Sequence, residues 1–182
     1  MLATTACLYA AFSAPEDGEQ TAFSGIFNRV AASFHGPRRF AHCALLFKVD
    51  ASQEMGFHTS IVWNGTVFCE PVPINITDNS CVLPRYGRMH TVPISVPLDW
   101  DPNPLMEAAD SFVGMGYDRA AAVMSAGPDW VAKKRDTSTE NTAIFCSEYC
   151  SHLLESHAGV NLNGQTASSM CPNDLYKLLT TV

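Results

Sequence analysis

Three observations predict an α+β fold. Short apolar runs of β-rich composition cluster between residues 40 and 98, an Asn-Gly dipeptide joins two of them as an antiparallel hairpin would, and helical spacing dominates the second half. Helix, antiparallel strands and helices again, within 182 residues, read as one domain over 1–182. Hydrophobic residues at 47% and charged residues at 16% suffice for a core and argue against disorder. The net charge of −7 argues against a nucleic-acid partner, which would call for a basic face.

The first element expected is a core strand, Cys7 to Phe12. In TAFSGIFNRVAASF, Phe23, Ile26, Phe27, Val30 and Phe34 recur at helical spacing, and His35-Gly36-Pro37 ends that amphipathic helix. The nearly continuous apolar run FAHCALLFKV suits a buried strand. GFHTSIVW and TVFCEPVPI flank Asn64-Gly65, the hairpin signal. HTVPISVPL predicts a further strand, which Pro93 and Pro97 push to a sheet edge or a broken ladder. Asp101, Pro102 and Pro104 announce a helix with Leu105, Ala108, Ala109 and Phe112 on one face, closed by Gly114 or Gly116. AGPDWVAKKRDTSTEN reads as an exposed polar loop. AIFCSEYCSHLLESH, Ala143 to His157, reads as one helix, and CPNDLYKLLTTV as a short last one with Pro172 near its first turn.

Seven cysteines, an odd number with no Cys-x-x-Cys, do not resemble a disulfide-stapled module and fit a reducing compartment. The opening MLATTACLYAAFSAPEDG has an Ala-Phe-Ser-Ala stretch that mimics a cleavage site. It has no Lys or Arg ahead of its apolar run, so a strand is expected there and secretion is not. No apolar run approaches the roughly 20 residues of a membrane span. Asn64-Gly65-Thr66 and Asn75-Ile76-Thr77 match the glycosylation pattern, which would matter only in a secreted protein.

The segment Ala143 to His157 carries two cysteines, two histidines and two glutamates. Cys146, Tyr149, Cys150 and Leu153 fall at i, i+3, i+4 and i+7, which sets Cys146 on the inward face, just after possible caps at Asn141 or Thr142. A free thiol is only about 3% ionised at pH 7, whereas a helix N-terminus and a histidinium neighbour can bring its pKa to roughly 3–4. Such a cysteine needs only a histidine brought close by the fold to become a nucleophile. Other readings stay open on residue type alone. Cys146 can be a small core residue. A zinc site from Cys146, Cys150, His152 and His157 would spread its ligands around one helix axis, unlike the usual turn-borne cysteine pairs. A redox pair at i, i+4 departs from the Cys-x-x-Cys signature. His152 and His157 read most simply as solvent-facing, His157 favoured by the helix C-terminus.

Four stretches in order resemble one family. SGIFNRVAASFHGPRRFAHCALLF is similar to an opening helix followed by a strand that carries a histidine. GMGYDRAAAV is similar to a Gly-x-x-Tyr-Asp element, FCSEYC to an aromatic-Cys-Ser-Glu nucleophile motif, and CPNDLYKLL to a closing Ser-Pro-x-Asp-Leu element with Cys171 in place of the serine. Over residues 22 to 179 the chain thus resembles the circularly permuted NlpC-type papain-like cysteine hydrolases, the YiiX-like group that includes phage and large-DNA-virus versions. More distantly it resembles the lecithin–retinol acyltransferase-like families.

The resemblance implies a permuted papain-like antiparallel sheet with a packed nucleophile helix. It implies Cys146 as nucleophile and His42 as base, 104 positions apart (146 − 42) and free to meet in space. Glu70 of FCEPV matches the position of an acidic residue that orients the histidine, with His58 as the other candidate; some phage-type relatives carry a glutamate two residues after the histidine, where this chain has Ala44. Tyr117 lines the site or donates to the oxyanion, or it packs. Asp118 belongs to the same element or caps a helix, and Glu148 reads as a structural first-turn carboxylate. Arg38 and Arg39 would attract an anionic group or simply be solvated. The implied reaction is cleavage of an amide bond in a peptide or acyl-amide substrate, with no metal or organic cofactor, in the cytoplasm (of a host, if the protein is viral). Ester cleavage or acyl transfer on a lipid, and a catalytically degenerate binding module hinted at by Ala44, are the alternatives.

Overall fold

The β-rich runs associate into one mixed sheet, flanked by helices, in a computed structural model that describes residues 8–14, 40–48, 57–63, 66–72, 74–83, 87–118, 120–122 and 143–181. The strands are β1 (Leu8–Ser13), β2 (His42–Phe47), β3 (Phe57–Trp63), β4 (Thr66–Val72), β5 (Ser80–Leu83), β6 (Gly87–Pro93), β7 (Gly116–Tyr117) and β8 (Ala143–Ile144). Among the described residues they lie in the order β5-β6-β1-β2-β3-β4-β7-β8. Neighbours are antiparallel except β7 and β8, which are parallel. The helices are α1 (Asn103–Ser111), α2 (Cys146–Ala158) and α3 (Pro172–Thr180), with a short 3-10 turn at Ala167–Ser169. The expected α+β class therefore stands. The helix expected over Phe23–Phe34, Arg38, Arg39, Asn64-Gly65 and the polar stretch 126–141 lie outside the described residues.

β2 is apolar in consecutive positions because both of its faces are covered. Cys43, Leu45 and Phe47 join the core under the helices, while Ala44 and Leu46 join Tyr9, Ala11, Val72 and Met89 on the opposite face. Every residue of β2 is buried.

The strand expected over 90–98 is β6, and it is not an edge: β5 lies outside it and β1 inside. Pro93 is its last residue and Pro97 falls beyond it, so neither proline interrupts the interior ladder. The edge strand β5 was not anticipated. It follows a two-residue turn, Asp78-Asn79, with φ of 50° and 56°, and Thr77 and Ser80 exchange backbone bonds of 2.9 Å across it. Positive φ at both central residues is the type I′ hairpin geometry that Asp and Asn tolerate.

α1 stops at Ser111, earlier than expected, and Phe112–Gly114 form a turn that frees Gly116 for β7. The segment read as one helix from Ala143 divides likewise. Ala143 and Ile144 pair with Gly116 and Tyr117 as β8, Phe145 is extended (φ −108°, ψ 164°), and α2 begins at Cys146. A cap at Asn141 or Thr142 would therefore come too early, and both residues lie outside the described set. α2 ends at Gly159, whose φ of +67° suits glycine, and the Val160 N–H bonds back to the Leu154 carbonyl at 3.1 Å.

The helices cover one sheet face. Leu105, Ala109, Tyr149, Leu153, Leu154 and Leu175 share a core with Phe12, Leu45 and Phe47. Burying each leucine contributes about 1.5–3 kcal/mol. The Tyr149 hydroxyl donates to the Ala109 carbonyl at 3.4 Å, and the Phe112 ring meets Tyr149 edge-on at 5.3 Å, so α1 and α2 are fixed to each other. Among the described residues no helix is long and apolar enough to cross a membrane.

Candidate active site

The sheet splays at the end where β2 begins. β2 pairs with β3 only through Leu45–Phe47, whereas Ile61–Trp63 continue on β4 alone. Beside His42 and Cys43, on that flank, no strand among the described residues occupies the ladder. β4 meets β7 at Thr66 and Gly116, and β7 and β8 run toward this same end. The chain leaving β8 thus needs only Phe145 to reach the start of β2 and turn back over it as α2.

Cys146, the first residue of α2, fills that flank. Its thiol accepts hydrogen bonds from the Cys43 S–H and the Cys43 backbone N–H, and it interacts with the His42 imidazole by hydrogen bond and by charge. Cys146 is 2% exposed and His42 9% exposed. The Cys146 thiol is held well below its ordinary value of 9.0, chiefly by donation from Cys43 and then by the charge and hydrogen bond of His42; burial acts the other way. Cys43 moves in the opposite direction, pushed well up by burial and by its bonds to Cys146 and Cys150. The two shifts are opposite in direction, so of the pair Cys146 is the more acidic thiol. Phe145 supplies no side-chain cap, and Cys146 sits at the helix end where backbone N–H groups and the dipole favour negative charge.

A second support comes from α3. The Asn173 carboxamide is 3% exposed and grips the backbone of Phe40, two residues ahead of His42: the Phe40 N–H donates to Oδ1 at 2.9 Å, and Nδ2 donates to the Phe40 carbonyl at 3.0 Å. Phe40 also packs on Tyr176 (centroids 4.7 Å), Phe12 (5.3 Å) and His90 (6.2 Å). Cys171 caps α3 as a serine would: its sulfur accepts from the Asp174 N–H at 3.4 Å and its S–H donates to Asp174 Oδ2 at 3.0 Å. Nothing in the sequence reading assigned a role to Asn173; its place in the closing Pro-Asn-Asp-Leu element, beside a cap, was the available signal.

The other expected residues fall as follows. Glu70 is aligned with Thr59, and Thr59 with Leu46, four positions along β2 from His42. That is about 13 Å along the strand, at roughly 3.3 Å per residue, and two strands across. The register therefore does not set Glu70 beside His42, as the orienting role expected of it would require. His58 is aligned with Phe47, at the far end of β2; its side chain lies outside the described residues. Ala44 is fully buried on the sheet face away from the helices, in an apolar setting that would penalise a carboxylate. Tyr117 is half-buried against the core beside Ile144, two residues before Cys146. Asp118 Oδ1 accepts from the Ala121 N–H at 2.8 Å, the capping role. Glu148 is in the first turn of α2 as expected, and it is buried. His152 is exposed against the Phe112 ring, and the His157 carbonyl accepts from the Trp100 indole at 2.8 Å. Ser147 and Ser151 are fully buried, and their Oγ atoms have no hydrogen-bond partner.

Among the described residues no group of three or more His, Cys, Asp or Glu is arranged to hold a metal ion. The six described cysteines are all free thiols. No protein-family profile, curated protein or solved structure matches this chain.

Proposed function

We propose that this protein is a cysteine-dependent hydrolase of the permuted papain-like type that cleaves an amide bond in a peptide or peptide-like substrate. The observation that carries this reading is a cysteine at the first residue of a helix, in contact with a histidine at the start of a buried strand. A thiolate so placed attacks the substrate carbonyl, and the tetrahedral oxyanion is met by the uncapped first-turn N–H groups of α2, that of Cys146 included. His42 donates its proton to the leaving amine as the thioester forms, then takes a proton from the water that resolves the thioester. No bound cofactor enters these steps. The thiol chemistry and the free cysteines fit a reducing compartment such as a cytoplasm.

The test is the pH dependence of Cys146 alkylation by iodoacetamide, followed by peptide mass spectrometry in the wild type and in His42→Ala. A lowered thiol pKa keeps the thiolate populated down to that pKa, so labelling at pH 6 should be selective for Cys146 over the other thiols. His42→Ala should shift the profile upward. Labelling of Cys146 that begins only near pH 9, with or without His42, would sink the hydrolase reading.

A further inference from the structure

We infer that Cys43 is a resolving thiol for Cys146: a peroxide converts the nucleophile to a sulfenic acid, and Cys43 closes a reversible Cys43–Cys146 disulfide that switches the site off. The inference rests on the proposed reactivity of Cys146 and adds an oxidant and a modification to it.

The geometry selects this pair. Strand alternation turns Cys43, with Leu45 and Phe47, toward the helices, and α2 lies over β2 with Cys146 and Cys150 one turn apart in the same buried cluster. The Cys43 thiol is in hydrogen-bond contact with both. Cys150 is the wrong resolving partner for Cys146. Residues at i and i+4 of a helix hold their Cβ atoms about 5–6 Å apart, beyond the roughly 3.5–4.5 Å that a disulfide needs. The remaining described thiols are committed elsewhere: Cys171 to Asp174, Cys69 to Asp110, and Cys81 to the opposite sheet face. The two thiols also divide the labour that a sensor requires. Cys146, the thiol shifted down and placed at the helix start, is the one to react with an oxidant, and Cys43, shifted up, is spared until the sulfenic acid forms beside it.

The chemistry balances with hydrogen peroxide as oxidant. The Cys146 thiolate attacks one peroxide oxygen, the O–O bond breaks, and the departing hydroxide takes up a proton to leave as water. Cys146 is then a sulfenic acid, oxidised by two electrons. The Cys43 sulfur attacks the Cys146 sulfur, the S–O bond breaks, and the Cys43 proton leaves with the hydroxyl as a second water. A dithiol reverses the bond by exchange and is itself oxidised. With Cys146 bonded to sulfur there is no thiolate to attack a carbonyl.

The experiment exposes the full chain to hydrogen peroxide and maps non-reduced peptides by mass spectrometry. Iodoacetamide labelling of Cys146 at pH 6 is measured before oxidation, after it, and after dithiothreitol. In the wild type and in Cys150→Ser, a Cys43–Cys146 linked peptide should appear, labelling should vanish, and dithiothreitol should restore it. In Cys43→Ser, Cys146 should instead be trapped by dimedone and pass to the sulfinic acid, with at least tenfold less labelling recovered. The wild-type map decides the matter even if Cys43→Ser does not fold. A Cys146 that labels at pH 6 before oxidation yet yields no link to Cys43, or links to Cys150, overturns this inference and leaves the hydrolase reading standing. A Cys146 that never labels at pH 6 overturns the hydrolase reading and this inference with it.

Discussion

Asn173 holds Phe40 by both of its backbone groups, with bonds of 2.9 and 3.0 Å in a buried setting. The carboxamide does for the entry to β2 what a neighbouring strand would do, and the residue it fixes is two positions from His42. Asn173→Ala leaves a buried N–H and a buried carbonyl without partners, so we expect a loss of about 2–4 kcal/mol in urea unfolding. The same variant should lose part of the low-pH alkylation of Cys146, because the imidazole loses its fixed base. Asn173→Ala that unfolds at the wild-type urea midpoint would show that the latch carries nothing.

Glu70→Gln tests the alignment of the sheet against the family expectation. The register sets Glu70 level with Leu46 rather than His42. The rate and pH profile of Cys146 alkylation should therefore stay within about twofold of the wild type, well under the tenfold that 1.4 kcal/mol would give. A shift as large as that of His42→Ala would restore Glu70 as the orienting residue.

Ser151 presents a different expectation. Its side chain is fully buried on α2 and its hydroxyl has no partner. Replacing it by alanine removes an unsatisfied polar atom and should stabilise the protein by up to about 1 kcal/mol in denaturant unfolding. Loss of stability would mean that the hydroxyl is satisfied in solution.

Alkaline pH should weaken the fold. Burial lifts the Cys81 thiol to about 11; burial, then the charge of Asp110 and its hydrogen bond, lift Cys69 to about 12. The unfolded chain gives up these protons as pH passes the ordinary 9.0, whereas the folded chain keeps them until 11 to 12. Between those limits the unfolded state binds fewer protons, so the free energy of unfolding falls as pH rises. The urea midpoint should drop between pH 8.5 and 10.5, with a shallower drop in Cys81→Ala. A midpoint independent of pH over that range would contradict the burial of these thiols.

Much of the site was legible because its signals are local. FAHCALLF reads as a strand buried on both faces, and Cys146 falls on the inward face of a helix, whatever the rest of the chain does. Boundaries were less legible. Ala143 and Ile144 are apolar enough to continue a helix upstream, and only their pairing with Gly116 and Tyr117 makes them a strand. Pro93 marks an edge by composition, yet at the last position of β6 its missing N–H costs the ladder little. Glu70 was placed by its order after the histidine, and order cannot reveal a register four residues out of line. Asn173 escaped because its function is to bond backbone 133 positions away, which leaves no periodic trace. The donation from Cys43 to Cys146 was hidden for the same reason: it depends on a gap between two strands, and gaps have no sequence motif.

The reach of that latch also bears on synthesis. A ribosome makes β2 first, Cys146 about a hundred residues later, and Asn173 a further 27 residues on (173 − 146). Until Asn173 emerges and docks, the backbone ahead of His42 lacks its anchor, so a growing chain can hold Cys146 and β2 for a time without the latch that fixes the entry to the strand.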